Sequence, residues 1–388
     1  VLSKGLASYL RKVEFLKELN EAQRVAACHV EGPMMVIAGA GSGKTRVLTY
    51  RIAHLISKGV DAFSILALTF TNKAAREMKE RIAQVIGDGE ARNIWMGTFH
   101  SIFARILRIE CERINYPRNF TIYDTADSRA LIKDIIKGLG LDDKVYKSAS
   151  VQGRISNAKN NLIDAAGYAD HPEIMSEDAQ AGRPRIAEIY KAYENRCFRA
   201  QAMDFDDLLF KMNVLLRDFP DLLLKYQHTF QYILVDEYQD TNFAQYLIIK
   251  QLAAMRENLC VVGDDAQSIY GFRGANIQNI FNFKKDYPDF NLFKLEQNYR
   301  STRFIVDAAN SVIAKNTEQI EKVVWTHNEE GQKIKVHRCY SDHEEGKLIA
   351  SGIFDTHNQQ QSHWQNFAIL YRTNAQSRSF EESLRKLN

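Results

Sequence analysis

The residues with the clearest chemical potential form the segment AGAGSGKT at 38–45. Glycines in such a loop free successive backbone N–H groups to turn towards one bound group, a lysine adds a point charge, and a threonine hydroxyl can ligate Mg²⁺. An apolar run precedes the loop and a helical pattern follows it, which is the context that a P-loop requires. The segment predicts a nucleotide-phosphate site formed by Ala38, Gly39, Ala40, Gly41, Ser42, Gly43, Lys44 and Thr45.

A pair of carboxylates, Asp236 and Glu237, follows the apolar run YILV. We expect Asp236, with Thr45, to hold the magnesium shell and Glu237 to orient and deprotonate a water molecule, as a general base. An isolated Asp-Glu pair after a strand is more often a solvated loop, but a P-loop in the same chain favours the catalytic interpretation. Together the two motifs predict nucleotide hydrolysis.

Short apolar runs must position these residues. PMMVIA, SILALTF, YILVDE and LCVVGD each predict a buried strand, and helical periodicity after the first two indicates βα units of a parallel sheet. The fold class is therefore α/β with a P-loop sheet. Between the P-loop and YILVDE the pattern becomes helical, and an inserted helical subdomain accounts for the length of the separation.

Two helix starts are predicted from acidic residues. Asp127 is expected to cap the helix that contains Leu131 and Ile135, and Asp206 or Asp207 to cap the helix of MDFDDLL.

We divide the chain into a first sheet segment (1–105), the helical insertion (106–202), a second sheet segment (203–300) and the start of a second α/β domain (301–388). In the last part, KIKVHRCY and FAILYRT are the predicted strands. This pattern stops unfinished at Asn388, so we expect the sequence to be the N-terminal portion of a longer protein.

The composition places few limits on function. The 388 residues carry a net charge of +3, which permits an acidic partner without requiring one. The five cysteines show no metal-ligand spacing and predict reduced thiols, as in a cytoplasmic protein. No apolar run reaches the roughly 18 to 20 residues of a membrane helix, so we expect no membrane association, and a monomer in isolation.

The order of the motifs resembles that of superfamily 1 DNA helicases of the UvrD, PcrA and Rep type, over nearly the whole length. Besides the P-loop, the segments that carry the resemblance are LNEAQR (19–24), LTFTNKAAREM (68–78), GTFHS (97–101), MDFDDLL (203–209), VDEYQDTN (235–242), VGDDAQSIYGFRGA (262–275), LEQNYRS (295–301) and YRTNAQSRSFEE (371–382). The resemblance implies a RecA-like motor domain that uses ATP and Mg²⁺.

For the nucleotide, the resemblance implies that Gln23 reads the adenine edge, Arg46 lies near the nucleotide and Tyr299 stacks on the base. It also implies that Gln267 senses the γ phosphate and that Arg300 neutralises charge there. A further implied role is for Gln239, which would couple the nucleotide state to the DNA.

For DNA, strand ends that place aromatic rings beside hydrogen-bonding groups suit a single strand, because stacking tolerates any base. The candidate contacts are Thr69, Phe70, Asn72, Thr98, His100, Tyr270, Phe272 and Arg273. Phe70 and Tyr270 alone would more often be core residues, and Phe99 stays open between core and contact. The resemblance implies that the ring of Phe272 separates neighbouring bases, and it places MDFDDLL near the DNA path.

The resulting hypothesis is an ATP-dependent helicase that moves 3′ to 5′ on single-stranded or tailed duplex DNA, in repair or replication; its polarity follows from the resemblance alone. Three alternatives remain: a phosphotransferase or plain nucleotidase, a nucleotide-gated DNA-binding module, and the helicase part of a helicase-nuclease. The protein partners are unknown.

Overall fold

The computed structural model describes residues 14–317 and 319–387, apart from the side chain of Arg273. Contacts divide the chain into two compact units, Val1–Glu330 and Gly331–Asn388. The predicted boundary at 300/301 stays a prediction.

The first unit contains eight described strands: β1 (Met34–Ala38), β2 (Ile65–Thr69), β3 (Trp95–Thr98), β4 (Thr121–Tyr123), β5 (Ala202–Asp204), β6 (Tyr232–Val235), β7 (Leu259–Gly263) and β8 (Asn291–Leu295). Six of them form a parallel sheet at the centre of the unit, in the order β3-β2-β6-β7-β1-β8. The other two, β4 and β5, pair in parallel outside this sheet.

Most of the remaining chain is helical. The α-helices are α1 (Glu21–Cys28), α2 (Lys44–Ser57), α3 (Asn72–Ile86), α4 (Asp88–Asn93), α5 (Phe99–Glu110), α6 (Thr125–Gly138), α7 (Ser148–Asn160), α8 (Ala165–Ala169), α9 (Pro172–Gln180), α10 (Ile186–Arg199), α11 (Phe205–Asp218), α12 (Pro220–Thr229), α13 (Phe243–Ala253), α14 (Gln278–Asp286), α15 (Arg303–Ile313), α16 (Asp342–Gln360) and α17 (Ser377–Arg385). Within the described ranges, none of the helices is both long and apolar enough to cross a membrane.

The four strands predicted from apolar runs are confirmed, and every residue of β1, β2, β6 and β7 is buried. Because side chains alternate along a strand, each strand contributes to two cores, one on each face of the sheet. Met35 and Ile37 join the core that includes α5, α11 and α13, whereas Met34 and Val36 join the core that includes α2 and α3. The sheet is thus buried on both faces, and its carboxyl-terminal edge remains for chemistry.

Within the region between β3 and β6, the helices from α6 to α10 form a third core, which includes Ile132, Ile155 and Tyr190. This agrees with a mainly helical insertion. The β4–β5 pair was not predicted, because three-residue strands such as Thr121–Tyr123 leave too short a pattern in the sequence.

Two helix caps were placed wrongly. Asp124, not Asp127, caps α6, and Asp204, rather than Asp206 or Asp207, caps α11. Asp127 in α6 and Asp207 in α11 are instead the third helical residues. Each accepts a hydrogen bond from the backbone N–H of the true cap.

The second unit contains α16 and α17, which pack on each other around Ala350 and Phe380. The prediction of strands at KIKVHRCY and FAILYRT is wrong for the described residues, where neither segment forms a strand. Val336 is 90% exposed and Leu370 is 93% exposed. An alternating apolar pattern produces a strand only where a neighbour completes the backbone hydrogen bonds, and these segments pair with no described strand.

Candidate functional site

The P-loop connects β1 to α2, and two of its glycines have backbone angles that side chains disfavour. Gly41 has φ of 69° and Gly43 has φ of 88°. A Cβ on Gly43 would also lie 2.9 Å from Nε2 of Gln23, and one on Gly41 would lie 2.8 Å from Nδ2 of Asn298. Glycine is therefore required at both positions, and the loop packs closely against two amide side chains.

This loop forms one wall of a cavity of about 460 Å³. Every predicted nucleotide residue except Ala38 and Asp236 lines it, and both of these are buried at strand ends. Four further residues line the cavity but were not predicted, because nothing in the sequence assigned them a role in nucleotide binding: Glu18, Ala74, Glu77 and Arg81.

Lys44 has an unsatisfied ammonium group inside this cavity. Its Nζ lies 3.3 Å from Oε2 of Glu237, yet it is buried and makes no aligned hydrogen bond to any of the described residues. A buried ammonium with free donors is costly unless an acceptor approaches it. Phosphate oxygens on the P-loop would satisfy it, so the residues fit a nucleotide.

Asp236 follows β6 directly and is buried. Burial and the neighbouring charge of Glu237 raise the pKa of Asp236 to about 7, although Lys44 and the Thr45 hydroxyl act in the opposite direction. A buried carboxylate beside a hydroxyl is a hard oxygen donor set of the kind that Mg²⁺ prefers together with phosphate oxygens. Asp236 and Thr45 therefore fit the predicted metal.

Glu237 adopts a left-handed backbone conformation, with φ of 50°. For a residue with a side chain this conformation is uncommon and often marks a functional position. Its Oε2 accepts a hydrogen bond from Nε2 of Gln239 at 2.9 Å. The carboxylate is thus held between Gln239 and Lys44, and it lines the cavity.

Gln239 connects Glu237 to the loop after β7. Its Oε1 accepts from the backbone N–H of Asp264 at 3.0 Å, and Nε2 of Gln267 donates to Oδ2 of Asp264 at 2.6 Å. A continuous hydrogen-bonded path therefore joins the predicted base to the predicted γ-phosphate sensor, which are 30 residues apart in sequence.

The two residues predicted to bind the base, Gln23 and Tyr299, both line the cavity, and Asn20 connects them by hydrogen bonds. Nε2 of Gln23 donates to the carbonyl of Ser42 at 2.9 Å. The Tyr299 hydroxyl accepts from Nδ2 of Asn20 at 2.6 Å, while 48% of Tyr299 is exposed, so its ring has a face available for stacking. Arg46 pairs with Glu18 at 3.1 Å.

Asn298 was missed by the sequence analysis, although it joins LEQNYRS to the P-loop. Its Nδ2 donates to the carbonyl of Ala40 at 2.7 Å, and its Oδ1 accepts from the backbone N–H of Arg300 at 2.8 Å. This amide therefore fixes the backbone of Arg300, which lines the same cavity. Its position inside the motif LEQNYRS was the sequence feature that could have identified it.

A second cavity, of about 500 Å³, brings together four of the predicted DNA residues: Phe70, His100, Tyr270 and Phe272. The ring centroids of Phe70 and Tyr270 are 5.2 Å apart, and those of Tyr270 and Phe272 are 6.1 Å apart. Phe272 is 74% exposed. An open row of rings of this kind can stack on successive bases. We call this cavity the aromatic groove.

Three other predicted DNA residues do not line the aromatic groove. Thr69 is buried and donates to the carbonyl of Thr71, and the Thr98 hydroxyl caps α5. Asn72 is exposed at the start of α3. The side chain of Arg273 lies outside the described residues. Phe99, which the sequence left open, is a core residue with 2% exposure.

The floor of the aromatic groove is polar: Asp206 belongs to MDFDDLL, which the resemblance placed near the DNA path, whereas Asn160 was not anticipated. Asn160 of α7 donates to Oδ1 of Asp206 at 3.1 Å and accepts from Nδ2 of Asn242 at 2.5 Å. Burial, reinforced by the charge of Asp204, raises the pKa of Asp206 to about 6. Burial and the charge of Glu237 raise the pKa of Asp240 to about 6 as well. The floor therefore joins the insertion to the segment that follows Glu237.

Comparison with known proteins agrees with this arrangement. A family model described as the UvrD/REP helicase N-terminal domain matches residues 19–288. The chain belongs to the UvrD/REP helicase family. A second model, the UvrD-like helicase C-terminal domain, matches residues 293–388.

Individual members of this family are similar along almost all of the chain. The ATP-dependent DNA helicase PcrA of Leuconostoc citreum is 49% identical over 371 residues, which are 95% of this chain and 49% of that protein. PcrA of Bacillus subtilis (strain 168) is 48% identical over 375 residues, which are 96% of this chain and 50% of that protein. The chain spans about half the length of the curated relatives it matches.

Proposed function

We propose that this UvrD/REP helicase family chain couples ATP hydrolysis to movement along single-stranded DNA. The observation that carries the proposal is the hydrogen-bonded path from Lys44 and Glu237 through Gln239 to the loop after β7, because that loop also supplies Tyr270 and Phe272 to the aromatic groove. Similarity to proteins named ATP-dependent DNA helicase PcrA supports it.

In this mechanism the P-loop amides and Lys44 bind the phosphates, and Glu237 orients the attacking water and takes its proton. Gln267 and Arg300 face the same cavity and would stabilise charge that develops on the γ phosphate. Thr45 and Asp236 would hold a magnesium ion, which would supply positive charge to the phosphates.

On the DNA side, Phe70, Tyr270 and Phe272 would stack on bases, and His100 contributes a further ring to the groove. Burial lowers the pKa of His100, so its imidazole is neutral at physiological pH and offers a hydrogen bond rather than a charge. Thr69, Asn72, Thr98 and Arg273 stay in the proposal as further DNA contacts, on the family resemblance alone.

The finer parts of the proposal come from the family resemblance: 3′ to 5′ movement, action on tailed duplex DNA in repair or replication, a monomeric state in isolation and a cytoplasmic location. A nucleotide-gated DNA-binding module is the second candidate, because the same hydrogen-bonded path would connect ATP binding to DNA binding without hydrolysis. The position of Glu237 beside Lys44 favours hydrolysis over simple gating.

The deciding experiment measures the steady-state rate of ATP hydrolysis with and without single-stranded DNA. A motor of this kind should hydrolyse ATP faster when single-stranded DNA occupies the aromatic groove. A rate that ignores DNA would indicate a plain nucleotidase, and DNA binding that responds to ATP without hydrolysis would indicate the gated module.

A further inference from the structure

The segment 319–326, which follows α15, has no assigned role, and we call it the bridging segment. It lies against the carboxyl-terminal end of β8: the N–H of Trp325 donates to the carbonyl of Glu296 at 2.9 Å, and the N–H of Asn298 donates to the carbonyl of Trp325 at 2.7 Å. The bridging segment thus continues the edge of the sheet beside LEQNYRS.

The same segment touches the P-loop. A Cβ built on Gly39 would lie 2.5 Å from Cγ2 of Val324, so Val324 packs directly on the first glycine of the loop. The carbonyl of Val324 accepts from Nδ2 of Asn310, which fixes the backbone at this point. Any shift of the bridging segment would therefore reach the phosphate-binding loop.

Two positions before Val324, Lys322 is buried between two carboxylates. Its Nζ lies 3.0 Å from Oδ1 of Asp264 and 2.5 Å from Oδ1 of Asp265. The second oxygen of Asp265 accepts from the backbone N–H of Ile320 at 2.8 Å. Lys322 is only 5% exposed at its side chain, so this cluster is shielded from solvent.

Burial alone would lower the pKa of Lys322, but the two carboxylates outweigh it and raise that pKa. The lysine therefore stays charged, and the cluster is a permanent ionic connection rather than a switch. Asp264 is the important member, because its other oxygen holds the Gln267 side chain and its backbone N–H holds Gln239.

We propose that Lys322 is a positioning residue, which fixes Asp264 and thereby aims the Gln267 side chain at the γ-phosphate end of the nucleotide cavity. This inference rests on the proposed function, since it concerns the hydrolytic step. It adds a second connection from the loop after β7 to the P-loop, through Lys322 and Val324, beside the path through Gln239 and Glu237.

The test compares Lys322→Met with Lys322→Arg, and uses Lys315→Met as a matched control, because Lys315 is exposed in the same region. We would measure kcat and KM for ATP hydrolysis with saturating single-stranded DNA, together with the affinity for a fluorescent ATP analogue. Misplacement of a catalytic group by about 1 Å can cost about 100-fold in rate, so Lys322→Met should lower kcat by about 10-fold to 100-fold.

The KM for ATP and the affinity for the analogue should change by less than about 3-fold, because the hydrogen bonds of Trp325 and Asn310 keep Val324 on the P-loop without Lys322. Lys322→Arg should recover most of the rate, and Lys315→Met should match the wild type. Wild-type kcat in Lys322→Met, or a parallel loss of nucleotide affinity that arginine does not rescue, would overturn the proposal.

If Lys322→Met does not fold, Asp265→Asn decides, because it weakens the same cluster without touching Gln267. It should lower kcat severalfold at unchanged nucleotide affinity, and wild-type kcat in this variant would equally overturn the proposal. Failure of the proposed function would give a different result, because the unmodified chain would then hydrolyse ATP at the same rate with and without DNA.

Discussion

Lys44 and Glu237 are in contact, yet the proposed mechanism gives them separate tasks. Lys44→Ala removes a phosphate ligand and should weaken nucleotide binding. Glu237→Gln keeps the shape of the side chain and should leave binding largely intact while it lowers single-turnover hydrolysis, because an amide cannot take a proton from water. Nucleotide affinity and single-turnover rates of both variants check this; equal loss of binding in the two would contradict the assigned roles.

The aromatic groove predicts loss of DNA affinity from single ring deletions. Phe70→Ala and Phe272→Ala should each reduce the affinity for single-stranded DNA by about 1 to 3 kcal/mol, with little dependence on base sequence, since every base has a stacking face. Phe63→Ala is the control, because Phe63 is 54% exposed and does not line the groove. A sharp fall in melting temperature with unchanged DNA affinity would show that these rings are structural.

The acidic residues at the floor of the groove predict that the affinity for single-stranded DNA depends on pH. The pKa values of Asp206 and Asp240 are raised to about 6, chiefly by burial. A bound polyanion raises them further, so binding takes up protons and the affinity for single-stranded DNA should increase as the pH falls through about 6. Protonation of His100, whose pKa is lowered by burial, acts in the same direction at lower pH.

Binding titrations at constant ionic strength would measure this effect. Asp206→Asn should bind more tightly at neutral pH and should flatten the pH profile. If the profile of Asp206→Asn matches that of the wild type, the carboxyl of Asp206 does not sense the DNA.

Among the elements, the start of α11 contains one short acidic motif that both stabilises the fold and contributes a side chain to the aromatic groove. Asp204 caps the helix and Asp207 completes the capping box, while both carboxylates lie 2.8 Å from the buried ammonium of Lys159 in α7. Only Asp206, between them, faces the groove. The acidic run MDFDDLL therefore joins the insertion to the sheet domain.

This arrangement predicts that Lys159→Met is strongly destabilising. Removing one partner of a buried ion pair leaves uncompensated charge and typically costs about 3 to 5 kcal/mol. Lys133→Met is a suitable control, because Lys133 lies exposed on α6. Denaturant unfolding of the two variants would test this, and equal free energies of unfolding would show that Asp204 and Asp207 find other partners.

At the scale of the whole molecule, the path through Gln239 predicts reciprocal coupling between nucleotide and DNA. ATP and single-stranded DNA should change each other's affinity by the same factor, because binding free energies around a cycle must agree. Gln239→Ala should bring this factor close to one while each separate affinity changes little. Gln278→Ala, at an exposed position on α14, should keep the coupling.

Measuring each affinity in the presence and absence of the other ligand, with a non-hydrolysable ATP analogue, gives this factor directly. Undiminished coupling in Gln239→Ala would show that the connection runs elsewhere, for instance through the bridging segment.

The sequence by itself determined the P-loop, the carboxylates after β6 and the buried strands of the sheet. These features are local: glycine relieves a strained φ at Gly41 and Gly43, and a run of four or five apolar residues is buried as one strand. Spacing along the chain is enough to reveal them. The capping boxes show the limit, because two acidic residues three positions apart both contribute and the sequence does not say which one begins the helix.

Only the tertiary structure decided which side chains meet. Asn298 contacts Ala40 across 258 positions, Asn160 contacts Asn242 across 82, and Lys322 contacts Asp265 across 57. An asparagine or lysine carries no periodic signal, and its role depends on partners that the fold brings within 3 Å or so of it. The same reason explains the failed strands of the second unit, since a strand needs a neighbouring backbone and no stretch of sequence can supply its own partner.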